Sequence, residues 1–297
     1  MSNNAQSLVQ WARLVRFVSI DGSIKYGEPM LANENDDIHQ LALDGQLEVI
    51  VLEGADVLSA TPTNRKETVK TLLGPLTPKD VPYVRCIGLN YKSHILETGR
   101  PLPTCPTVFS KPGTTIADTN VAVPIPKIAQ TQCDYEGELC ILIGKDAKNV
   151  SQEDALNYVA AYTVGNDVSA RDWQREPGKA GPVPQWSFSK SFDKYAPLGP
   201  ALVSTSVLGA ADKQSLKTFV NGALRQSGDT SDLCFGVKAL VAFCSQGQTL
   251  QAGSLIMTGT PGGVGLFMNP QGFLHDGDEV VVEIEGIGKV VNRMQFE

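Results

Sequence analysis

Residues 133–144 read CDYEGELCILIG, and this stretch decides the fold. The apolar run LCILI is typical of a buried β-strand. Glu136 and Glu138 are two positions apart at its start, so their side chains emerge on the same face of the strand. Two adjacent carboxylates repel each other and are costly to desolvate unless a cation lies between them. The stretch therefore predicts a strand that begins at a metal site, although the solvated face of an edge strand would show the same two acids.

A third acid follows the next apolar segment, in AAYTVGNDVSARDWQ (residues 160–174). Asp167 ends that segment, and with Glu136 and Glu138 it gives three oxygen donors without a nearby His or Cys. Oxygen donors favour a hard ion such as Mg2+ or Ca2+ over zinc. We predict Mg2+, with Mn2+ or Ca2+ as substitutes, because three carboxylates leave room for water and a chelating substrate. The alternative interpretation makes Asp167 an ordinary turn residue.

The rest of the chain consists mostly of short apolar runs separated by Gly and Pro, which predicts a β-rich, mixed α/β fold with few helices. Residues 12–60 contain two strand-like segments and Asp-Gly turns, and a linker rich in Thr, Pro and Lys follows at 61–82. We therefore expect a small N-terminal domain over residues 1–75 and a catalytic domain over residues 80–297.

Two segments predict helices in the catalytic domain. Ser151 to Asp154 offer an N-cap and acidic residues before ALNYVAAY. Thr230 to Cys244 space their apolar residues as on one face of a helix.

Composition and charge restrict the partners. The net charge of -7 and the pI near 5.1 disfavour nucleic acid and anionic membranes, which require clustered Lys and Arg. No apolar run reaches the roughly 18 residues of a membrane helix. The six cysteines contain no CxxC pair and are interpreted as buried thiols of a reducing compartment. Arg13 and Arg16 weakly resemble a mitochondrial presequence, but LVRFV is typical of a first strand, so we predict a cytoplasmic protein.

Two further groups suit catalysis. His94 and Glu97 are three positions apart in CIGLNYKSHILETG, so one helical turn would let the carboxylate raise the basicity of the imidazole. Such a pair is a general base, or else an exposed helix turn. Lys190 lies among aromatic residues in PQWSFSKSFDKYAPLGP, where a partly desolvated ammonium suits an enolate or oxyanion. Its alternative is a lysine extended over aromatic surface.

Three residues are candidates for binding the substrate. Arg171 and Gln174 follow Asp167 by four and seven positions, and they would reach the same pocket if the chain turns helical there. Thr260 lies in the loop TGTPGG after the strand-like SLIM, where N-H groups and hydroxyls could hold a carboxylate. The alternatives are ordinary surface residues and a Gly-rich turn. The loop lacks the Lys of a phosphate-binding loop, which disfavours nucleotide binding.

Taken together, eight motifs in this order resemble the fumarylacetoacetate hydrolase family from about Val84 to the C-terminus. They are CIGLNYKSHILE, FSKP, DYEGELCILIGK, YTVGNDVSARDWQ, WSFSKSFDKYAPLGP, VNGALRQ, LIMTGTPGGVG and GDEVVVEIEGIG. The resemblance is nearest to the domain-containing-protein branch, whose members act on oxaloacetate and acylpyruvates. It implies a mixed β-roll catalytic domain, a smaller N-terminal domain and a homodimer.

The resemblance also implies roles. By matched position, the magnesium ligands are Glu136, Glu138 and Asp167, the lid dyad that activates water is His94 and Glu97, the enolate-stabilising lysine is Lys190, and the substrate contacts are Arg171, Gln174 and Thr260. The implied enzyme is Mg2+-dependent and acts on a small 2-oxo or 1,3-dicarbonyl carboxylic acid through an enolate. The expected reaction is C-C hydrolysis of an acylpyruvate or decarboxylation of oxaloacetate. Oxaloacetate keto-enol tautomerisation and a non-catalytic metal-binding scaffold stay open as alternatives.

Three features depart from the family pattern. Gly137 stands where an apolar residue is usual, and we expect it to loosen the strand beneath the metal. The segment at 175–185 is longer and richer in Pro than usual, and Ser189 replaces a glycine before Lys190. These departures lie beside the predicted pocket, so they bear on the identity of the substrate.

Overall fold

The computed structural model describes residues 7–34, 36–97 and 99–297. The strands β1 to β21, in chain order, are Arg13–Val18, Ile24–Pro29, Glu48–Glu53, Thr61–Thr68, Thr71–Leu73, Val84–Gly88, Thr107–Lys111, Ile116–Ala117, Ala122–Ile125, Cys133–Asp134, Gly137–Ile143, Ala147–Lys148, Val159–Asn166, Ser169–Ala170, Ala196–Ser204, Ser215–Val220, Ala223–Asp229, Thr249–Leu250, Leu255–Met257, Glu279–Ile284 and Gly288–Phe296. The α-helices α1 to α7 are Ile38–Leu43, Lys92–Glu97, Arg171–Arg175, Pro177–Ala180, Trp186–Ser189, Thr205–Leu208 and Val237–Cys244. Short 3-10 helices cover Gly113–Thr115, Lys127–Ala129, Ala155–Tyr158, Thr230–Asp232 and Gly265–Phe267.

Two sheets form the body of the protein. The larger has twelve strands in the order β4-β3-β2-β1-β15-β13-β11-β19-β6-β7, with β5 paired to β1 and β8 to β15. The smaller has five strands in the order β17-β16-β20-β21-β9 and contacts β11, β13 and β15 of the larger. The predicted β-rich, mixed α/β fold is confirmed.

Strand β11 lies at the centre and is buried on both faces. Leu139 and Ile141 pack into the core shared with the smaller sheet. Cys140 and Leu142 pack into a second core on the opposite face. Because both faces are covered, the strand carries a continuous apolar run instead of alternating polar and apolar residues.

Gly137, the first residue of β11, is a contact point between the sheets. A Cβ atom there would lie 2.3 Å from Thr218 Oγ1 and 2.8 Å from Val282 Cγ1, both on the smaller sheet. The expectation that Gly137 loosens the strand was therefore wrong, since the missing side chain allows the two sheets to approach closely.

The N-terminal strands extend the larger sheet. Strand β1 pairs with β15 through Arg13↔Val203 and Leu14↔Leu202. A separate apolar cluster that includes Val15 lies among β1 to β5 and α1. The predicted first strand is confirmed as β1, while residues 1–6 of the presequence-like segment lie outside the described residues. The proposed division of the chain between residues 75 and 80 stays a proposal.

The two helix predictions had different outcomes. The segment from Thr230 to Cys244 contains α7, as predicted. The segment ALNYVAAY forms one 3-10 turn and then enters β13, so the helix prediction there was wrong. All eight residues of β13 are buried between β11 and β15, and sheet pairing overrides the local capping signal.

The cysteine prediction holds in part. Cys86, Cys133, Cys140 and Cys244 are buried free thiols, whereas Cys234 is half-buried and Cys105 is exposed. Among the helices in the described ranges, none is long and apolar enough to cross a membrane.

Candidate active site

Three acidic side chains meet where several strands end. The start of β11 pairs with the end of β13 through Gly137↔Asn166, which brings the residues around Glu136 beside Asp167. The Asp167 N-H donates to the Glu136 carbonyl oxygen at 2.8 Å. Glu136, Glu138 and Asp167 each bring one carboxylate oxygen to within 4.8 Å of the other two. The predicted convergence of these carboxylates is therefore present in the structure.

Two buried lysines contact this cluster. Lys190 Nζ lies 2.8 Å from Glu136 Oε2, 2.7 Å from Asp167 Oδ2 and 2.7 Å from Ser169 Oγ. Lys111 Nζ contacts Asp167 Oδ1 and donates to the Tyr195 carbonyl oxygen at 2.6 Å. Glu136 and Asp167 each contact a lysine, whereas Glu138 contacts neither.

Glu138 is the carboxylate of the cluster without a cationic partner among the described residues. Its side chain is fully buried, Oε2 accepts the Gly259 N-H at 2.7 Å, and Oε1 has no hydrogen-bond partner. Burial, together with the charges of Asp167 and Glu136, raises the pKa of Glu138 well above its usual range. A bound divalent cation would satisfy the orphaned oxygen and favour the ionised form. The donor set therefore fits a hard cation such as Mg2+.

Cationic side chains compensate the negative charge of Glu136. Burial by itself raises its pKa, but Lys190 and Arg171 outweigh burial and lower the pKa to about 2. Arg171 Nη2 lies 2.7 Å from Glu136 Oε1, and Nη1 donates to Gln174 Oε1 at 3.2 Å. Burial opposes the charge of Arg171, but Glu136 and Asp134 raise its pKa further. Helix α3 places Arg171 and Gln174 one turn apart, as the sequence predicted.

Asp134 is a positioning residue that sequence reasoning did not single out. It is fully buried, and its carboxylate accepts Arg171 Nε at 2.8 Å, the Gly265 N-H at 2.8 Å and the Leu266 N-H at 3.0 Å. It therefore ties Arg171 to the loop that follows Val264.

A cavity of about 520 Å³ adjoins the carboxylates. Its polar lining comprises Glu136, Arg171, Gln174, Thr260, His94, Glu97, Arg100 and Arg175. Its apolar lining comprises Ile87, Leu89, Pro184, Trp186, Val264, Leu266 and Phe267. Six of the nine predicted site residues line this cavity, and the other three, Glu138, Asp167 and Lys190, belong to the cluster that Glu136 joins to it. A second cavity of about 300 Å³ lies elsewhere, between the N-terminal strands and the smaller sheet.

His94 and Glu97 lie on α2 at the edge of the cavity. His94 Nδ1 is 3.9 Å from Glu97 Oε2, which is too long for a hydrogen bond, and the Glu97 side chain is 70% exposed. The imidazole packs edge-on against Phe267 with 5.6 Å between ring centroids. Burial lowers the pKa of His94, while Glu136 and Glu97 oppose the shift. A neutral imidazole near pH 7 can accept a proton.

The loop that follows β19 supports the floor of the site. Thr260 Oγ1 donates to the Gly137 carbonyl oxygen at 2.9 Å and accepts from Gln226 Nε2 at 2.7 Å. Gln226 Oε1 accepts the Gly137 N-H at 3.0 Å. The loop was expected to hold a substrate carboxylate, and at Gly259 its N-H holds Glu138 instead.

The residues that sequence reasoning missed all lie in motifs that were recognised. Lys111 belongs to FSKP, Asp134 to the stretch that precedes β11, and Gln226 ends VNGALRQ. Each is a polar side chain in a strand, in β7, β10 and β17 respectively, and each is fully buried in the structure. That combination, a polar residue in a segment with strand character, was the available signal.

Comparison with known proteins gives consistent relatives. Residues 83–295 match the family described as Fumarylacetoacetate (FAA) hydrolase C-terminal. The chain is 39% identical to Caffeoylpyruvate hydrolase of Neonothopanus nambi, over 97% of this chain and 94% of the relative. It is 43% identical to Oxaloacetate tautomerase FAHD2A, mitochondrial, of Homo sapiens, over 75% of this chain and 69% of the relative. The crystal structure of 2-hydroxyhepta-2,4-diene-1,7-dioate isomerase from Mycobacterium marinum aligns with a TM-score of 0.77 and 32% identity, over 96% of this chain and 99% of that one.

Proposed function

The chain belongs to the fumarylacetoacetate hydrolase family, and on this premise we propose that it is a Mg2+-dependent acylpyruvate hydrolase. In the proposed reaction, water adds to the acyl carbonyl of the substrate, and the bond from that carbon to the methylene carbon breaks. The electron pair passes to the enolate of pyruvate, which is then protonated at carbon. The products are pyruvate and the carboxylic acid of the acyl group.

The shape and polarity of the cavity carry this proposal. Glu136, Arg171 and Gln174 supply polar groups beside the carboxylate cluster, and seven apolar residues, among them Trp186 and Phe267, supply apolar surface in the same lining. An acylpyruvate has a 2-oxo acid for the polar groups at the cluster and an acyl group that can pack on the apolar surface. Oxaloacetate has a carboxylate at both ends and would leave the apolar wall unused. A relative that is similar over nearly its full length is named Caffeoylpyruvate hydrolase, and the acylpyruvate in that name supports the same choice.

Glu136, Glu138 and Asp167 would hold Mg2+, since their oxygens converge and Glu138 Oε1 lacks a partner. When bound, the ion would polarise the 2-oxo group as a Lewis acid. Lys111 and Lys190 neutralise two of the three carboxylates, so the loaded cluster carries a net positive charge. That charge suits an anionic substrate.

The side chains around the cluster have separate roles in the proposed reaction. Lys190, whose three N-H groups already donate to Glu136, Asp167 and Ser169, stabilises the oxyanion that develops on the 2-oxo group through its charge, and Gln174 assists it. Arg171 orients the substrate carboxylate, and Thr260, whose hydroxyl donates to the Gly137 carbonyl oxygen, holds the floor beneath it in place. His94 accepts a proton from the attacking water, and Glu97 stabilises the imidazolium that results.

A second candidate is oxaloacetate keto-enol tautomerase, which the 43% identity to the human tautomerase favours. The same residues could catalyse it, because only a proton moves. Oxaloacetate decarboxylation is a third outcome: where no electrophilic second carbonyl is present, the enolate forms by loss of CO2.

An assay of the purified protein with Mg2+ on acetylpyruvate, benzoylpyruvate and oxaloacetate separates these reactions. We expect each acylpyruvate to give equal amounts of pyruvate and carboxylic acid, with the activity lost in EDTA and restored by Mg2+. Keto-enol interconversion of oxaloacetate without acylpyruvate cleavage would make the enzyme a tautomerase, and release of pyruvate with CO2 from oxaloacetate would make it a decarboxylase. Turnover of none of the three would favour a metal-binding scaffold.

We further propose a homodimer in the cytoplasm. The dimer is an expectation from the family, and light scattering on the purified chain measures it. A mitochondrial location is the alternative, because the tautomerase relatives are named as mitochondrial. Fluorescent tagging at the C-terminus distinguishes the two locations.

A further inference from the structure

We infer that Gly88 and Trp186 determine the acyl-group selectivity of this site, and that they favour acylpyruvates whose acyl group is planar, either aromatic or conjugated. The inference rests on the proposed function. It adds which part of the substrate is selected and which residues select it.

Gly88, the last residue of β6, leaves the space that the indole of Trp186 fills. A Cβ atom at Gly88 would lie 1.9 Å from Trp186 Cζ3 and 2.4 Å from Cη2. Any side chain there would displace the indole. The backbone of Gly88 is not in the left-handed region. The glycine is therefore required for space and not for an unusual backbone conformation.

The indole is a fixed wall of the cavity. Its second neighbour is Phe109 on β7, in an edge-to-face contact with 5.3 Å between centroids. Trp186 begins α5, and its carbonyl oxygen accepts Ser189 Oγ at 2.9 Å, directly before Lys190. The apolar wall and the lysine of the carboxylate cluster therefore lie at the two ends of one short helix. This arrangement ties the position of the indole to that of Lys190.

Phe267 is the other aromatic residue in the lining, and it is 53% exposed. It contacts His94 edge-on, and the Arg175 guanidinium lies 5.7 Å from its ring centroid. An acyl group that covers Trp186 and Phe267 removes apolar surface from water and gains aromatic contacts. A flat acyl group can use both rings, whereas a methyl group reaches little of either surface.

The ratio of kcat/KM for benzoylpyruvate to kcat/KM for acetylpyruvate measures this selectivity. We expect the wild-type ratio to exceed one and Trp186→Ala to lower it by about tenfold or more, the range for loss of apolar contacts in a specificity pocket. Trp186→Phe retains a smaller aromatic wall and should give an intermediate ratio.

Gly88→Ala tests the same contact by changing the glycine instead of the indole. The added methyl group displaces the indole, so this variant should shift the ratio in the same direction as Trp186→Ala. The matched control is Gly178→Ala, an exposed glycine in α4 with no heavy atom within 4 Å of its Cβ position. It should keep the wild-type ratio. Thermal melting of each variant checks folding, and the Trp186 variants keep the test decisive if Gly88→Ala does not fold.

The outcomes separate this inference from the proposed function. If the wild type cleaves both acylpyruvates and the ratio is unchanged in Trp186→Ala and Trp186→Phe, the inference is overturned and the hydrolase proposal stands. If the wild type cleaves neither acylpyruvate, the hydrolase proposal fails, and the selectivity inference fails with it. A wild-type ratio below one would also overturn the inference.

Discussion

The floor and the flap of this site are built in different ways. The floor consists of Glu136, Glu138, Asp167, Lys111 and Lys190. The first four lie at strand ends, Lys190 follows α5, and both oxygens of Asp167 contact a lysine. The flap is α2, Lys92–Glu97, where the imidazole and the carboxylate stand 3.9 Å apart and the carboxylate is mostly exposed.

The difference separates two kinds of contribution. Buried charges at hydrogen-bonding distance are tied to the stability of the fold, because removal of one leaves another uncompensated. Removal of a flap group leaves no buried charge uncompensated. The geometry of His94 and Glu97 is typical of catalytic groups that come together only when substrate binds. Floor variants should therefore alter stability and metal binding, and flap variants should alter only the hydrolytic step.

Glu138→Gln gives the strongest test of the floor. The amide oxygen can still accept the Gly259 N-H, but the amide cannot supply an anionic ligand. We expect kcat to fall by about a thousandfold or more, since metal and oxyanion interactions of this kind contribute several kcal/mol. Calorimetric titration with Mn2+ should show the loss of binding. Because Glu138 lacks a compensating cation, thermal stability in EDTA should be equal to or higher than that of the wild type.

Glu153→Gln is the matched control, because Glu153 is exposed and lies on the chain before β13. It should keep wild-type activity and Mn2+ affinity. Full activity of Glu138→Gln in EDTA would refute the metal site.

Lys190→Met tests the floor by its effect on the stability of the fold. The change leaves Glu136 and Asp167 without the ammonium at 2.8 and 2.7 Å. We expect the free energy of unfolding in EDTA to fall by about 3 kcal/mol, the scale for breaking a buried ion pair. Urea denaturation measures it. In saturating Mg2+ the loss should be smaller, because the ion supplies positive charge to the same carboxylates.

Lys213→Met, at an exposed lysine, should change neither value. An equal loss for Lys190→Met with and without Mg2+ would mean that the cluster does not bind the ion.

The floor shows why much of the site could be predicted from the sequence. The spacing of Glu136 and Glu138 in a strand, and the acid that ends the next strand, depend on local geometry alone. The family and its branch were predicted correctly, because the order of the motifs is specific. The named relatives confirm the prediction that the chain is an enzyme of this family.

Contacts between distant segments could not be predicted in this way. Lys111 and Asp167 are 56 positions apart, and their contact depends on how β7 and β13 are placed in one sheet. The same holds for Gly88 and Trp186, and for the close approach at Gly137. Strand β13 was mistaken for a helix because its capping signal is local, whereas the pairing that overrides it comes from β11 and β15.

His94→Gln tests the flap. Gln cannot act as the base, so kcat for acylpyruvate hydrolysis should fall by about a hundredfold, within the range for general-base catalysis. The unfolding free energy and the Mn2+ affinity should stay at wild-type values, because His94 contacts neither the lysines nor the carboxylates through a hydrogen bond in the described structure. His275→Gln is the control, since that histidine is 84% exposed and lies outside the cavity. A large loss of stability in His94→Gln would erase the distinction between floor and flap.

Glu97→Gln should have the smallest effect, on the pH profile. His94 must be neutral to accept a proton, so kcat/KM falls on the acid side as the imidazole is protonated. Burial lowers the pKa of His94, and the charge of Glu97 raises it. Removing that charge lowers the pKa further, so the acid limb should move to lower pH. The movement should be small, because Glu97 is exposed and solvent screens its charge. A limb that moves to higher pH would show that the titrating group is not a histidine coupled to Glu97.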